Sequence, residues 1–248
     1  MSDIPSEFTK DYYDSEYFAG LKGGKRFRRP NGSIAQWSYY NPQGEFLGAR
    51  DIARAWKTMF NPKNALDAFC GRGTFVAYMR DFGIEAYGFD FSEFAINNPY
   101  PRCKKEWLKL HDGTKPWPYK DKEFDLVVML DAYEHIYVDD LDFVINEMYR
   151  VARKWVFLQI AVVGGGSGYS RHEKGYILRK GEPIPPELEG NVVAGHVTVQ
   201  EPSFWFERFD RDDVVFRRDM VEWFKTLVDE AIIRNWLQNL ILVIELLD

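Results

Sequence analysis

Cysteine is almost missing from this chain: in 248 residues there are two, Cys70 and Cys103, and neither belongs to a close Cys/His set. That excludes a multi-bridge disulfide framework and a thiolate zinc cage. No apolar run approaches the ~18 residues that a membrane-spanning helix needs, and the opening MSDIPSEFTKDYY lacks a basic start followed by an apolar stretch. An excess of positive charge is absent too. Lys and Arg total 32 against 38 Asp and Glu, a net charge of -6, which argues against a surface built mainly to neutralise phosphate backbones. Repeats and low-complexity tracts are also lacking. The expectation is a cytoplasmic chain without a membrane segment, its oligomeric state left open.

What is present is apolar and aromatic: 46% hydrophobic and 17% aromatic residues, enough for one large core. Residues 1–45 carry Tyr12, Tyr13, Tyr17, Phe18, Trp37 and Tyr40 among glycines and prolines with no sustained period, and read as an aromatic arm or lid. Residues 46–248 read as one domain. A helical spacing through Ile52, Trp56 and Phe60 is stopped by Asn61-Pro62. After it, ALDAF, EAYGFD, EWLKLHD, FDLVVML and KWVFLQIAVV read as strands, with TFVAYMRDF and DDLDFVINEMYRVA as helices between them. Apolar strands alternating with helices indicate an α/β fold with a mostly parallel sheet covered on both faces. DVVFRR (strand), DMVEWFKTLVDEA (helix) and NLILVIELLD (strand) complete it.

Ligands in such sheets bind beyond the carboxyl ends of the strands, where strand order reverses. The turn Cys70-Gly71-Arg72-Gly73 follows the first strand there, with Asp67 just inside the strand, and the second strand ends in Gly88-Phe89-Asp90. Glycines let the backbone turn tightly beside a ligand, and a carboxylate at that strand end can accept both hydroxyls of a ribose. This describes an adenosine-type cofactor. A pyrophosphate-binding dinucleotide fingerprint is weakened, because Val76 stands where its third glycine belongs.

The series LDAFCGRGTF, YGFD, LHDG, FDLVVMLDAYEHI and DLDFVINEMYRVA, over roughly residues 60 to 163, resembles the class I S-adenosylmethionine-dependent methyltransferases. The resemblance implies a Rossmann-like fold with a seven-stranded, mostly parallel sheet and an antiparallel C-terminal strand. It implies S-adenosyl-L-methionine as cofactor. Asp67, Cys70, Gly71 and Gly73 would hold its methionine end, Asp90 its ribose, Phe91 its adenine face, Asp112 and Gly113 the adenine edge, and Leu130 would line the methyl pocket. Phe69 replaces the family's usual first glycine, so a changed pocket wall is expected. A side chain at Gly71 or Gly73 is expected to block the cofactor and leave the fold intact.

The acceptor end is read from the residues just after the fourth strand and from a long insertion at about 164–200. Asp131, Tyr133, Glu134 and His135 face the reacting methyl in this fold, Glu134 being read as structural. GHVTVQEPSFW resembles a His-containing stretch of small-molecule members, which makes His196 the expected proton acceptor, with Asp131 and His135 beside it. Cys70 is expected to pack and line without reacting. The resemblance also admits a divalent ion held by Asp131, His135 and His196, as some sugar-modifying relatives use one, but no metal is expected. The arm and the insertion, with Tyr169 and Tyr176, are expected to close over the site as one cover. The activity expected is O-methylation, less readily N-methylation, of a small-molecule or glycan acceptor. Three alternatives stay open: an RNA or DNA methyltransferase using the basic cluster from Lys22 to Arg29, a cofactor-binding module without chemistry, and a nicotinamide oxidoreductase, which the Val76 position disfavours.

Overall fold

A computed structural model describes residues 7–19, 48–165, 173–188, 192, 195–235 and 239–247. Seven strands form one sheet: β1 (Asn64–Ala68), β2 (Glu85–Asp90), β3 (Leu108–Leu110), β4 (Phe124–Leu130), β5 (Ala152–Ile160), β8 (Val214–Phe216) and β9 (Leu240–Leu246). A separate hairpin pairs β6 (Tyr176–Ile177) with β7 (Thr198–Val199) inside the insertion. The sheet order is β3-β2-β1-β4-β5-β9-β8. The first five strands run parallel, and β9 is antiparallel to both β5 and β8. This is the Rossmann-like architecture expected, and order reverses between β1 and β4, where a crevice opens.

Side-chain alternation explains the two covered faces. Leu126 and Val128 of β4 and Val243 of β9 pack with Ile52 and Trp56 of α2 (Ala49–Phe60), Val76 and Met79 of α3 (Thr74–Asp81) and Phe224 of α7 (Arg218–Leu227). Phe124, Val127 and Met129 of β4, with Leu242 and Ile244 of β9, face the other way, onto Leu141, Val144 and Met148 of α5 (Val138–Val151) and Trp205 and Phe209 of α6 (Pro202–Phe209). The helix-to-strand approach near the first turn is unusually close. A Cβ on Gly88 would stand 2.7 Å from Cys70 Sγ and 3.0 Å from Val76 Cγ2. The close approach is therefore supplied by a glycine on β2, which frees the helix to carry Val76.

Local differences from the sequence pattern have simple causes. Of EWLKLHD only Leu108–Leu110 pairs as a strand, because Lys105–Trp107 closes a 3-10 turn before it. The helix expected to run through Ala231 stops at Leu227; Val228 turns extended and buries its side chain, and α8 (Glu230–Asn235) restarts beyond it.

A third apolar cluster lies at the carboxyl ends of the strands. Phe8, Tyr12, Tyr13 and Phe18 from the N-terminal segment pack there with Tyr176, Leu178, Val192, Val197 and Val199 from the insertion. The short helix α1 (Ser15–Phe18) is started by Asp14, whose Oδ1 accepts from the main-chain N–H of Glu16 (2.9 Å) and Tyr17 (3.1 Å). The remaining arm, including Lys22 to Arg29, Trp37 and Tyr40, lies outside the described residues, as do Tyr169 and His172.

Candidate functional site

β1 leads into a turn whose backbone is left-handed at Phe69 (φ 61°), Gly71 (φ 53°) and Gly73 (φ 75°). For Phe69 this conformation is costly, and the ring's packing offsets the cost: its centroid lies 5.4 Å from that of Phe89 and 6.3 Å from that of Trp117. The ring also rests on Gly113, where a Cβ would come within 2.2 Å of Phe69 Cζ. Phe69 and Gly113 are thus one contact, a reshaped pocket wall that only a bare α-carbon on the facing loop admits.

Asp90 stitches the loops after β1 and β2 together. Its Oδ2 accepts from the Gly71 N–H (2.9 Å) and its Oδ1 from the Ser92 N–H (2.8 Å). Burial raises its carboxyl to about 6, against the downward pull of the main-chain N–H groups of Ser92, Gly71 and Phe91. Each oxygen keeps a second lone pair for a ligand hydroxyl. Asp67, 3% exposed, has one oxygen buried without a hydrogen-bond partner, and burial together with the neighbouring Asp90 pushes its carboxyl well above the usual range. A buried orphan acceptor of this kind is costly unless a donor meets it.

Both carboxylates line a cavity of about 640 Å³ over the β1–β4 crevice. Phe69, Cys70, Gly71, Phe91, Asp112, Gly113 and Leu130 line it as well. Burial raises the Cys70 thiol far above its ordinary value, so it stays protonated. Asp112 is tied into its own turn, Oδ1 accepting from the main-chain N–H (2.9 Å) and hydroxyl (2.8 Å) of Thr114. Gly73 is not part of the lining. A Cβ there would meet Cys103 Sγ at 2.7 Å and Leu108 Cδ2 at 2.9 Å, so this glycine serves the packing of the turn and does not face the ligand space.

At the other end of the cavity stand Asp131 and His135. Asp131 has φ 47°, in the left-handed region that Asp tolerates better than most residues, and its N–H bonds the Gln159 carbonyl across the sheet (2.9 Å). His135 closes the 3-10 turn Tyr133–His135; burial lowers its pKa to about 4, so the ring is neutral at pH 7. Its Nδ1 lies 3.4 Å from the Tyr13 hydroxyl. His196 stands behind it, ring centroids 4.8 Å apart at 85°, and is not part of the lining. Glu134 is fully buried behind the same wall: its Oε1 accepts from the Ala161 N–H (3.2 Å) and its carbonyl from the Val197 N–H (2.7 Å).

The N-terminal segment roofs this space. Phe8, Tyr13 and Tyr17 line it, and the Tyr13 carbonyl accepts from the Ser92 hydroxyl (2.6 Å) beside Asp90. The same Ser92 oxygen caps the short helix α4 (Glu93–Asn97), accepting from the Ala95 N–H (3.0 Å). Tyr12 and Tyr176 are buried in the third cluster without reaching the cavity. Sequence reasoning missed His111, next to Asp112 at the end of β3, and the Lys180–Asp140 pair (2.6 Å) at the rim. His111 lies inside the LHDG motif, where only the two residues after it are given a role, whereas nothing local to Lys180 marks it.

An acidic, glycine-turned crevice at the switch point of a parallel sheet, closed by an aromatic segment, is the architecture of nucleoside-cofactor-binding α/β proteins. Residues 66–158 match the family described as Methyltransferase domain. Norajmaline N-methyltransferase of Rauvolfia serpentina is 36% identical over 98 residues, 37% of this chain and 32% of that protein. The chain thus aligns with about a third of the length of this curated relative. Among solved structures, one chain of the complex between the Haloferax volcanii Trm112 methyltransferase activator and the putative methyltransferase superposes with TM-score 0.53 at 15% identity, over 80% of this chain and 89% of that one. A SAM-dependent methyltransferase from Archaeoglobus fulgidus gives 0.50 at 16% identity, over 79% and 91%. Residues 66–158 thus match the Methyltransferase domain family, and the fold around them is the one these solved methyltransferase structures share. No helix among the described residues is long and apolar enough to cross a membrane.

Proposed function

We propose that the protein transfers the methyl group of S-adenosyl-L-methionine to an oxygen, or less readily a nitrogen, of a small-molecule or sugar-like acceptor. The observation that carries the reading is the pair of buried carboxylates on one cavity wall. Asp67 offers an unpartnered acceptor oxygen and Asp90 two oxygens with spare lone pairs. An aminocarboxypropyl ammonium and a ribose diol are donors of the kind these acceptors lack. The cofactor, when bound, supplies an electrophilic methyl on a sulfonium; the remaining tasks belong to the chain.

Asp90 takes the ribose hydroxyls, Gly71 lets the backbone approach, and Phe69 with Gly113 walls the adenine end. Tyr13, Tyr17 and Phe8 exclude water above the site, which holds acceptor and donor in one orientation. His135 and Asp131 face the acceptor end and are the groups available to take the proton that a hydroxyl sheds. His196 acts through His135 as a positioning residue, a role different from the direct proton acceptor expected from sequence. The described part of the insertion and residues 7–19 form one cover by sharing the third apolar cluster.

The test is calorimetry with S-adenosylhomocysteine on the full chain. Binding at one site, abolished by Asp67→Ala and Asp90→Ala with the fold retained by circular dichroism, is the expected result. No binding by the wild type, or equal binding by both variants, refutes the assignment.

A further inference from the structure

The wall behind the acceptor end holds three groups of metal-ligand type on two remote stretches of chain. Glu134 and His135 follow β4, and His196 precedes β7. One ligand atom from each lies within 4.8 Å of the other two. Their relative placement is set by backbone: the Val197 N–H bonds the Glu134 carbonyl (2.7 Å), which locks the segment carrying His196 against the turn carrying the other two. Ligands about 2.1 Å from a common ion stand ~3 Å apart when adjacent and ~4.2 Å apart when opposite, so the three atoms must draw together by up to about 2 Å, a shift that side-chain rotation supplies.

A second observation points the same way. Glu134 is fully buried, and while its Oε1 accepts from the Ala161 N–H, its Oε2 has no hydrogen-bond partner. A buried carboxylate oxygen left in that state is costly unless something positive meets it. The Asp131 side chain stands beside Glu134, both a like charge and a side-chain hydrogen-bonding neighbour, so the two carboxyls share one acidic corner of the wall. The imidazole of His135 is arranged as metal ligands usually are: Nδ1 lies toward the Tyr13 hydroxyl and Gly195, which leaves Nε2 for a cation. Oxygen and nitrogen donors without a thiolate suit a first-row divalent ion and not soft Cu(I).

We propose that Glu134, His135 and His196 form a site for a divalent first-row cation such as Mn2+, Fe2+, Co2+ or Zn2+, with Asp131 completing its cavity side and an open position toward the acceptor. The site stands on geometry alone; only the part its open position plays rests on the reading of the cavity as an acceptor site. There the ion would take an oxygen of the acceptor, with His135 as ligand and Asp131 as the remaining group beside the shed proton.

The experiment uses the full-length protein, stripped with chelator and titrated with Co2+ while visible ligand-field absorption is followed. Metal content after desalting is counted by mass spectrometry. One Co2+ per chain, with a rise in the thermal midpoint, is expected. Affinity should fall at least ~100-fold in Glu134→Gln and in His196→Asn; the second variant leaves the bond to Ala161 untouched and guards against a folding defect in the first. S-adenosylhomocysteine affinity of His196→Asn should stay within about threefold of wild type. Failure of the wild type to retain Co2+, or stoichiometric Co2+ binding unchanged in His196→Asn, overturns the site. Loss of S-adenosylhomocysteine binding in wild type with Co2+ binding intact would instead sink the cofactor reading.

Discussion

Titrating cofactor affinity against pH in the wild type and in Asp90→Asn isolates the group on which the ribose assignment depends. The Asp90 carboxyl is raised from 3.8 to about 6, a difference on the order of 3 kcal/mol between ionising it in place and in water. The protonated acid is the form the empty site favours, so this group makes the free protein less stable as pH rises from about 4 through 6. Ribose hydroxyls favour the opposite state, because the carboxylate accepts both and the acid does not. At pH 5 only about one-tenth of Asp90 is ionised, and S-adenosylhomocysteine should bind on the order of ten-fold more weakly than on the plateau above pH 7. Asparagine keeps the shape but has one acceptor oxygen for two main-chain donors. The orphaned Gly71 or Ser92 N–H lowers stability in free and bound protein alike, while the ribose hydroxyls lose a charged acceptor worth ~1.5–3 kcal/mol, roughly a 10- to 100-fold loss of affinity at pH 7.5. Isothermal calorimetry from pH 5 to 8 reads both effects. The variant should be weaker throughout and should lack the inflection near pH 6. An inflection that survives unchanged in Asp90→Asn refutes the reasoning and moves the titration to another carboxylate, Asp67 first.

Gly113→Ala should lower S-adenosylhomocysteine affinity more than about tenfold by driving the Phe69 ring into the cavity, and Phe69→Ala in the same chain should restore part of it; unchanged affinity in the single variant would show that the ring yields elsewhere. Gly195→Ala places a Cβ 2.7 Å from the Tyr13 hydroxyl oxygen at φ 86°, so proteolysis at residues 7–19 should quicken and stability fall by ~1–3 kcal/mol, read by urea unfolding. Gly73→Val should unfold at lower urea than wild type, because its side chain meets Cys103 and Leu108; a variant of wild-type stability that fails to bind cofactor would restore the ligand-facing role.

The sequence by itself determined the parallel sheet, the switch point and the two carboxylates, Asp67 and Asp90, that line the cavity there. Those features are local: apolar runs of strand length, helices between them, a Gly-x-Gly turn after β1 and an acid closing β2 each declare themselves within a dozen residues. What only the tertiary structure decided depends on how remote segments stack. Gly71 and Gly73 are equivalent in a string of letters, yet one borders the cavity and the other faces Cys103, because the turn rotates the chain between them. His135 and His196 were both candidates. Which of them reaches the ligand space was settled by the Val197–Glu134 hydrogen bond, which seats the second histidine behind the first. Likewise, an aperiodic N-terminal segment carries no local signal for its partner. Its aromatic rings find one only when the insertion folds back beside them over the strand ends, burying two surfaces that neither segment could bury alone.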